Sequence, residues 1–292
     1  MKKPSTKDII RNWLWFVNFR TMIKATMWWI WPRRDRTFFI FEGKDYTYRE
    51  VYQNAERYAN FFLSERKQLV QSGKLGINER LALGIYMDNT PEFIYAALGA
   101  GLSNSVLFAI NTGFRGETLA KVINQAGIRR LIMNASTAPE VARVLNEVTV
   151  LGEGDILYAG EKSEVEGKAY RLLEQAVDGA EPHVPRRYRV RIDNFSPVIV
   201  IYTSGTTGMP KGVPCTHIKM VGAGVVVQRA VKLTRHDRGY LSMPLFHSND
   251  WYIGILPQMI VGGSFVLKRK FSARAFEEDM LQYGVAFLNY VG

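Results

Sequence analysis

Apolar side chains recur at helical spacing between residues 51 and 62, separated by four, three and four positions. This period places them on one face of an α-helix. Thr47 stands just before the pattern, and Glu50 follows it by three positions, which is the spacing of a capping box. We therefore predict a core helix that starts at Thr47 and ends near Gly73. The residues of its apolar face are Val51, Ala55, Tyr58 and Phe62.

Short apolar runs then alternate with helical patterns, after a predicted hairpin over residues 37–50 that turns at residues 43–45. Thr90 and Pro91 mark one helix start, because proline suits the first position of a helix. Alternation of strands and helices indicates an α/β fold with mostly parallel sheets flanked by helices. Further helices are predicted at 117–126 and 137–147, and strands at 81–87, 106–110, 131–133 and 156–159.

The same alternation continues to the end of the chain. The β-branched run at 197–201 predicts a buried strand. His217 stands at a predicted helix start rather than at a metal-ligand spacing. Predicted strands cover 213–215, 240–243, 264–267 and 285–290, and predicted helices cover 216–231, 249–260 and 272–283.

A loop rich in hydroxyl groups and glycine, residues 202–212, follows the strand at 197–201. Glycines allow close backbone approach, hydroxyls donate to phosphate oxygens, and one lysine adds a positive charge. Ligands bind at the carboxyl ends of strands in open α/β sheets. We therefore predict a nucleotide phosphate site, although the spacing is not that of a Walker A loop. Its predicted residues are Thr203, Ser204, Gly205, Thr206, Thr207, Gly208 and Lys211.

The composition is that of a globular protein: 292 residues, 47% of them hydrophobic, with room for about two domains. The single cysteine, Cys215, excludes an internal disulfide and a multi-cysteine zinc site, and weakly favours a reducing compartment. The four histidines are too scattered for a metal spacing.

The net charge of +11 is concentrated in residues 1–36, which hold nine basic residues against two acidic ones. The same segment contains five of the six tryptophans. Basic and aromatic residues together are typical of an amphipathic helix at a membrane surface. Arg20 and Lys24 interrupt the apolar character, so a spanning helix is not predicted. The alternative is a helix docked on the catalytic body by its aromatic face.

Residues 160–196 are the best candidate for a linker, since they contain clustered glutamates, two prolines and the basic run at 186–189. We interpret that run as a solvated surface loop. No nucleic-acid partner is predicted, because no reading module accompanies it.

The run Tyr-Thr-Ser-Gly-Thr-Thr-Gly-Met-Pro-Lys-Gly at 202–212 resembles the signature of the acyl-adenylate-forming superfamily, which includes acyl-CoA synthetases. Met-Pro-Leu-Phe-His-Ser at 243–248 is similar to that family's Pro-x-Phe-His motif. Residues 262–267 and 271–272 resemble the fatty-acyl members, including the fatty-acid transport protein branch. The resemblance covers residues 37–292 and implies layered αβαβα subdomains.

The resemblance implies an AMP-forming acid–thiol ligase that uses ATP, Mg²⁺ and coenzyme A. It implies that Lys211 and the loop hold the phosphates and that Thr203 ligates Mg²⁺, with Thr206 as the alternative ligand. It places His247 at the mouth of the acyl pocket. Trp251 corresponds to a tryptophan that gates the acyl tunnel in long-chain synthetases, and a core-packing role is the alternative.

The implied substrate is a long-chain or very-long-chain fatty acid, because each buried CH₂ contributes about 0.8 kcal/mol. Bile-type, sterol-side-chain and aromatic acids are the alternatives. The expected location is the cytoplasmic face of a membrane, held peripherally, or the cytoplasm. Self-association into a homodimer is left as an option.

Two further blocks of that family, Tyr-Gly-x-Thr-Glu and Thr-Gly-Asp, do not occur in this sequence. We therefore expect the first half of an enzyme, inactive by itself, or else a non-catalytic nucleotide- or lipid-binding fragment. A membrane-tethered interaction protein that depends on residues 1–36 is a third option. The expected organisation is an interfacial segment (1–36), a first α/β subdomain (37–194) and an incomplete second subdomain with the phosphate loop (195–292).

Overall fold

The structure is a computed structural model. It describes residues 22–24, 26, 30–161, 164–165, 167–181, 184–203 and 208–290. Within these ranges the chain forms two larger sheets, of seven and five strands, and a short two-stranded hairpin. Helices flank the sheets, so the predicted α/β class is confirmed.

The seven-stranded sheet has the order β11-β10-β4-β3-β5-β6-β9. Its strands run parallel except β11, which pairs antiparallel with β10. Apolar side chains of the central strands are buried, as expected for a sheet covered on both faces. The strands are β3 (Ala82–Tyr86), β4 (Val106–Ala109), β5 (Arg130–Asn134), β6 (Ile156–Ala159), β9 (Arg171–Leu172), β10 (Pro197–Thr203) and β11 (Lys211–Thr216).

The five-stranded sheet has the order β14-β12-β13-β1-β2. Strand β1 pairs parallel with β13 and antiparallel with β2. Its strands are β1 (Thr37–Phe41), β2 (Lys44–Thr47), β12 (Arg238–Leu241), β13 (Ser264–Leu267) and β14 (Phe287–Leu288).

The α-helices among the described residues connect these strands. They are α1 (Tyr48–Gln71), α2 (Pro91–Ser103), α3 (Gly116–Gln125), α4 (Ala138–Val144), α5 (Leu173–Asp178), α6 (His217–Ala230), α7 (Leu256–Val261) and α8 (Ala273–Tyr283). A π-helix, Asp250–Ile255, leads directly into α7. Short 3₁₀ turns cover Trp31–Arg33, Leu145–Glu147, Glu153–Asp155 and Arg186–Tyr188.

The helix caps predicted at Thr47 and Thr90 have different outcomes in the structure. The capping box is confirmed, because Thr47 accepts from the Glu50 amide while the Glu50 carboxylate accepts from the Thr47 amide. Thr90 precedes Pro91 as predicted, but its hydroxyl makes no cap hydrogen bond.

The predicted boundary between the two subdomains, at residue 194, does not coincide with a boundary between the two sheets. Strands β10 and β11 lie after that position yet join the sheet of β3 to β9, and β1 and β2 join the sheet of β12 to β14. Parallel pairing of β10 with β4 and of β1 with β13 decides this arrangement. Such pairing joins residues distant in sequence, so composition along the chain does not reveal it.

The linker predicted over residues 160–196 is wrong as a description of its structure. It contains a hairpin, β7 (Glu164–Val165) with β8 (Lys168–Ala169), and then the edge strand β9. Helix α5 follows, with Leu173 and Val177 buried in the main core. The apolar residues were too few and too widely spaced to show a period.

Two predicted elements near the end differ in extent or type. The helix predicted at 249–260 begins as the π-helix and becomes α-helical only at Leu256. The strand predicted at 285–290 pairs only over Phe287–Leu288. This strand, β14, pairs with β12 at two positions: Phe287 lies opposite Gly239, and Leu288 lies opposite Tyr240.

Part of the N-terminal segment packs on the body of the protein. Met22, Ile23 and Ile30 are buried in the main core, and the Thr26 hydroxyl donates to the Met259 carbonyl oxygen at 3.4 Å. For these four residues contact with the body is observed, whereas docking by the aromatic face stays a prediction. Residues 1–21, 25 and 27–29 lie outside the described residues. Nowhere in the described chain is a helix both long and apolar enough to cross a membrane.

Candidate active site

The hairpin of β10 and β11 brings two predicted site residues together at the carboxyl end of a buried strand. Thr203 ends β10, Lys211 begins β11, and the two are direct partners in the antiparallel register. Both side chains are exposed, in contrast to Val198 and Ile199 earlier in β10. A hydroxyl and an ammonium group therefore flank the mouth of the loop.

Glycines occupy the positions of this hairpin where a side chain would not fit the backbone. Gly208 has a φ of +92°, a conformation that L-residues rarely adopt. A Cβ atom on Gly212 would lie 2.9 Å from Val200 Cγ1, so another residue there would displace the strand's side chain. Four predicted site residues, Ser204, Gly205, Thr206 and Thr207, lie outside the described residues.

The second predicted part of the site follows β12. The His247 amide donates to the Pro244 carbonyl oxygen at 2.9 Å, which makes a turn before the π-helix. Burial lowers the pKa of His247, so the neutral ring is favoured. His247 lines a cavity of about 470 Å³ together with Met243, Ser248, Asn249, Tyr252 and Ile253.

Trp251 lies inside the core instead of lining this cavity. Its side chain is fully buried, and its indole Nε1 donates to the Leu245 carbonyl oxygen at 2.8 Å. That geometry is the core-packing alternative. Tyr252 and Ile253, the next two residues of the π-helix, line the cavity beside His247. The proposed gating role of Trp251 stays a prediction.

Tyr252 connects the two parts of the site. Its hydroxyl interacts with the thiol of Cys215 in β11, and the Lys219 ammonium lies 5.7 Å from its ring centroid. Burial raises the pKa of Cys215, which favours the protonated thiol. The cavity of His247 is thus joined through Tyr252 to the strand that begins at Lys211.

Asn89 fastens the loop that leads to His247, and the sequence patterns did not single it out. Its Nδ2 group donates to the carbonyl oxygens of Met243 at 2.8 Å and Lys268 at 3.0 Å. The Leu245 amide donates to its Oδ1 at 2.7 Å. Asn89 therefore joins the carboxyl end of β3 to the carboxyl ends of β12 and β13 in the five-stranded sheet.

Asp250, a second residue that sequence reasoning missed, is fully buried three positions after His247. Burial raises its pKa to about 7, although hydrogen bonds from the Asn289 side chain and the Met243 backbone oppose that rise. The Asn289 amide donates to Asp250 Oδ1 at 2.8 Å. Position 250 follows three polar residues, so the sequence carries no signal that it is buried.

The donor set suits a magnesium ion shared with a nucleotide. No group of three or more His, Cys, Asp or Glu side chains able to hold a metal occurs in the described part of the chain. The exposed Thr203 hydroxyl is a hard oxygen donor opposite the Lys211 charge. Mg²⁺ is commonly held by one or two protein oxygens together with substrate phosphates and water, so Thr203 fits as one ligand.

The chain is similar to proteins that act on fatty acids. It is 30% identical over 261 residues to long-chain fatty acid transport protein 6 of Homo sapiens, covering 89% of this chain and 40% of that protein. It is 32% identical over 213 residues to the medium/long-chain-fatty-acid–CoA ligase FadD17 of Mycobacterium marinum, covering 72% of this chain and 38% of that one. The chain spans about two fifths of the length of these curated relatives.

Solved structures share the fold. The long-chain-fatty-acid-CoA ligase FadD1 of Archaeoglobus fulgidus superposes with a TM-score of 0.71 at 18% identity, covering 93% of this chain and 50% of that one. At this identity the likeness shows the fold alone. The model of the AMP-binding enzyme family matches residues 29–292. This match includes the loop at 202–212 and almost the whole chain, and we conclude that the chain belongs to the AMP-binding enzyme family.

Proposed function

We propose that this chain contributes the nucleotide site of an ATP-dependent ligase that joins a long-chain fatty acid to coenzyme A. The observation that carries the proposal is the pairing of Thr203 with Lys211 at the carboxyl end of buried β10. This pair flanks the loop whose hydroxyls and glycines are suited to phosphate.

In the proposed reaction the fatty-acid carboxylate attacks the α-phosphorus of ATP, and pyrophosphate leaves. The thiolate of coenzyme A then attacks the acyl carbon of the acyl-adenylate, which forms the thioester and releases AMP. Lys211 holds the β- and γ-phosphates, and its charge offsets charge that develops on the departing pyrophosphate. Thr203 would supply one oxygen ligand to a bound Mg²⁺, and that ion would offset phosphate charge.

His247 binds the substrate carboxylate or orients it at the mouth of the cavity. The neutral ring that burial favours has one donor nitrogen and one acceptor nitrogen. Apolar groups of Met243, Tyr252 and Ile253 line the same cavity and suit the start of an acyl chain. The names of the transport-protein and ligase relatives support a fatty acid over a bile-type or aromatic acid.

Peripheral attachment to the cytoplasmic face of a membrane belongs to the same proposal. The basic, tryptophan-rich residues 1–36 support it, because that composition is typical of a helix at a membrane surface. A fatty acid partitions to the same surface, so attachment would keep the site near its substrate. Homodimer formation is a further option within this proposal.

The test measures fatty-acid-dependent exchange of pyrophosphate into ATP, together with ATP affinity. Lys211→Ala should weaken ATP binding by about tenfold or more, since it removes the charge beside the loop. Thr203→Val should raise the Mg²⁺ concentration needed for binding. The exposed Lys270→Ala serves as the control, and it should match the wild type.

Each result has a distinct meaning for the proposal. Binding and exchange that both depend on Lys211 would support a ligase active within this chain. Binding that depends on Lys211 but lacks exchange would support the nucleotide site and show that the chain does not turn over alone. Equal ATP binding by wild type, Lys211→Ala and Lys270→Ala would overturn the proposal.

A further inference from the structure

We propose that a groove beside the amino ends of strands β4 and β10 binds a phosphate group through three arginines. The groove has a volume of about 770 Å³ and lies outside the nucleotide site. It is lined by Val184, Arg186, Arg189, Val190, Arg191 and Ile192. This inference goes beyond the proposed function and does not depend on it.

Side chains from neighbouring elements hold the backbone of this segment. The Arg66 guanidinium donates to the carbonyl oxygens of Tyr188 and Ile77. The Asn104 Nδ2 group donates to the carbonyl oxygens of Val190 at 3.3 Å and Arg191 at 3.0 Å. The segment is therefore a fixed wall of the groove.

Buried apolar side chains anchor the same segment. Val184 and Tyr188 pack with Leu63 of helix α1 in a small core of their own. The Arg187 guanidinium lies 5.1 Å from the centroid of the Tyr188 ring, so this arginine covers the anchor. Arg186 and Arg189 of the run, and Arg191 just after it, are not part of that small core.

Arg186, Arg189 and Arg191 are exposed, and none forms an ion pair with an acidic residue of the described chain. The side chain of Arg189 donates from Nε to the Val184 carbonyl oxygen at 3.1 Å. Elsewhere in the chain Arg130, Arg171 and other arginines pair with carboxylates. Three uncompensated guanidinium groups lining one groove create a local excess of positive charge.

The groove is distant from the nucleotide loop. Its segment leads into the amino end of β10 at Pro197, whose carbonyl oxygen accepts from Arg80 Nη1 at 2.5 Å. Thr203 ends the same strand, and seven residues of strand span about 20 Å. A ligand in the groove therefore leaves the phosphate loop free.

Phosphate is the ligand chemistry that this groove suits. Arginine presents several donors in a planar fork that matches phosphate oxygens, and it keeps its charge at every physiological pH. Val190 and Ile192 add apolar wall beside the charges. Two sources supply such a group: the headgroup of an anionic phospholipid at a membrane surface, or a soluble phosphate compound.

The experiment compares the full chain with the triple variant Arg186→Gln, Arg189→Gln, Arg191→Gln. A control variant removes three exposed positive charges elsewhere, by Arg229→Gln, Lys270→Gln and Arg274→Gln. In the lipid arm, each protein is sedimented with phosphatidylcholine vesicles that contain about one third phosphatidic acid. In the soluble arm, binding of inorganic pyrophosphate is measured by calorimetry in the Lys211→Ala background.

The groove variant should lose about tenfold or more of its binding in at least one arm, while the control variant should lose less than about twofold. A loss confined to the lipid arm identifies a headgroup, and a loss confined to the soluble arm identifies a free phosphate compound. Equal behaviour of the two variants in both arms would overturn the proposal. Thermal unfolding of each variant checks that it is folded, and pyrophosphate exchange tests the proposed function separately.

Discussion

The Leu245 backbone amide donates a hydrogen bond of 2.7 Å to the side chain of Asn89, which lies 156 positions earlier in the chain. The same carboxamide donates to two carbonyl oxygens of the other sheet, and it is almost completely buried. One side chain therefore satisfies three backbone groups, two of them on the loop that leads to His247.

Replacing Asn89 with alanine should lower the free energy of unfolding by about 2 to 4 kcal/mol, since three buried backbone groups would lose their partner. Urea unfolding monitored by circular dichroism measures this change. Asn54→Ala is the matched control, because the Asn54 side chain donates to the Glu50 carbonyl on the partly exposed helix α1. It should cost less than about 1 kcal/mol. Equal costs would contradict a bridging role for Asn89.

Asp250→Asn should change how stability depends on pH. Burial raises the pKa of Asp250 in the folded chain to about 7, so the folded state holds a proton that the unfolded state releases near pH 4. The wild type therefore loses stability as the pH rises from about 4 to about 7. Asparagine keeps the shape without the titration.

We expect the advantage of Asp250→Asn to grow over that range by about 1.4 kcal/mol for each pH unit at most. The measurement is the urea midpoint of each protein at about pH 5 and at about pH 8. The exposed Glu277→Gln should run parallel to the wild type. A constant difference between Asp250→Asn and the wild type would show that Asp250 is charged at all these pH values.

Gly99→Ala should destabilise the packing of helix α2 against α1. A Cβ atom at position 99 would lie 2.8 Å from Tyr58 Cβ and 3.2 Å from the Ala59 amide nitrogen. Such overpacking costs about 1 to 3 kcal/mol in the free energy of unfolding. Gly222, inside helix α6, has open space at its Cβ position.

Gly222→Ala is therefore the control for Gly99→Ala. It should stabilise the chain by about 0.5 to 1 kcal/mol, because alanine loses less backbone entropy in a helix. Thermal or urea unfolding should therefore show a lower free energy of unfolding for Gly99→Ala and a higher one for Gly222→Ala. A shared sign would mean that helix propensity, rather than space at Tyr58, decides the effect at position 99.

Trp251→Phe separates a packing role from a gating role. The change removes the hydrogen bond from the indole to the Leu245 carbonyl and leaves that buried oxygen without its partner. We expect a loss of about 1 to 3 kcal/mol in the free energy of unfolding. Tyr290→Phe, at an exposed position, should leave it unchanged. An unchanged stability for Trp251→Phe would favour a role outside the core.

Local sequence patterns predicted the regular elements and one part of the site. The capping box at Thr47 depends on residues three positions apart, so it could be read directly. The hydroxyl- and glycine-rich loop after a β-branched run likewise predicted a site at the end of β10. These features are local because their hydrogen bonds and backbone requirements involve near neighbours in the chain.

The tertiary structure decided which of those elements share a sheet and which side chains are buried. Pairing of β1 with β13 joins the start of the body to its end, and no local pattern encodes that partner. Asn89 acquires its partners only when the two sheets meet, and Asp250 pairs with Asn289, 39 positions later in the chain. Trp251 bonds to nearby Leu245, but its burial depends on the surrounding core. Sequence alone therefore determined the class of fold and predicted the chemistry of the loop, whereas long-range packing determined burial, because burial depends on neighbours that are distant along the chain.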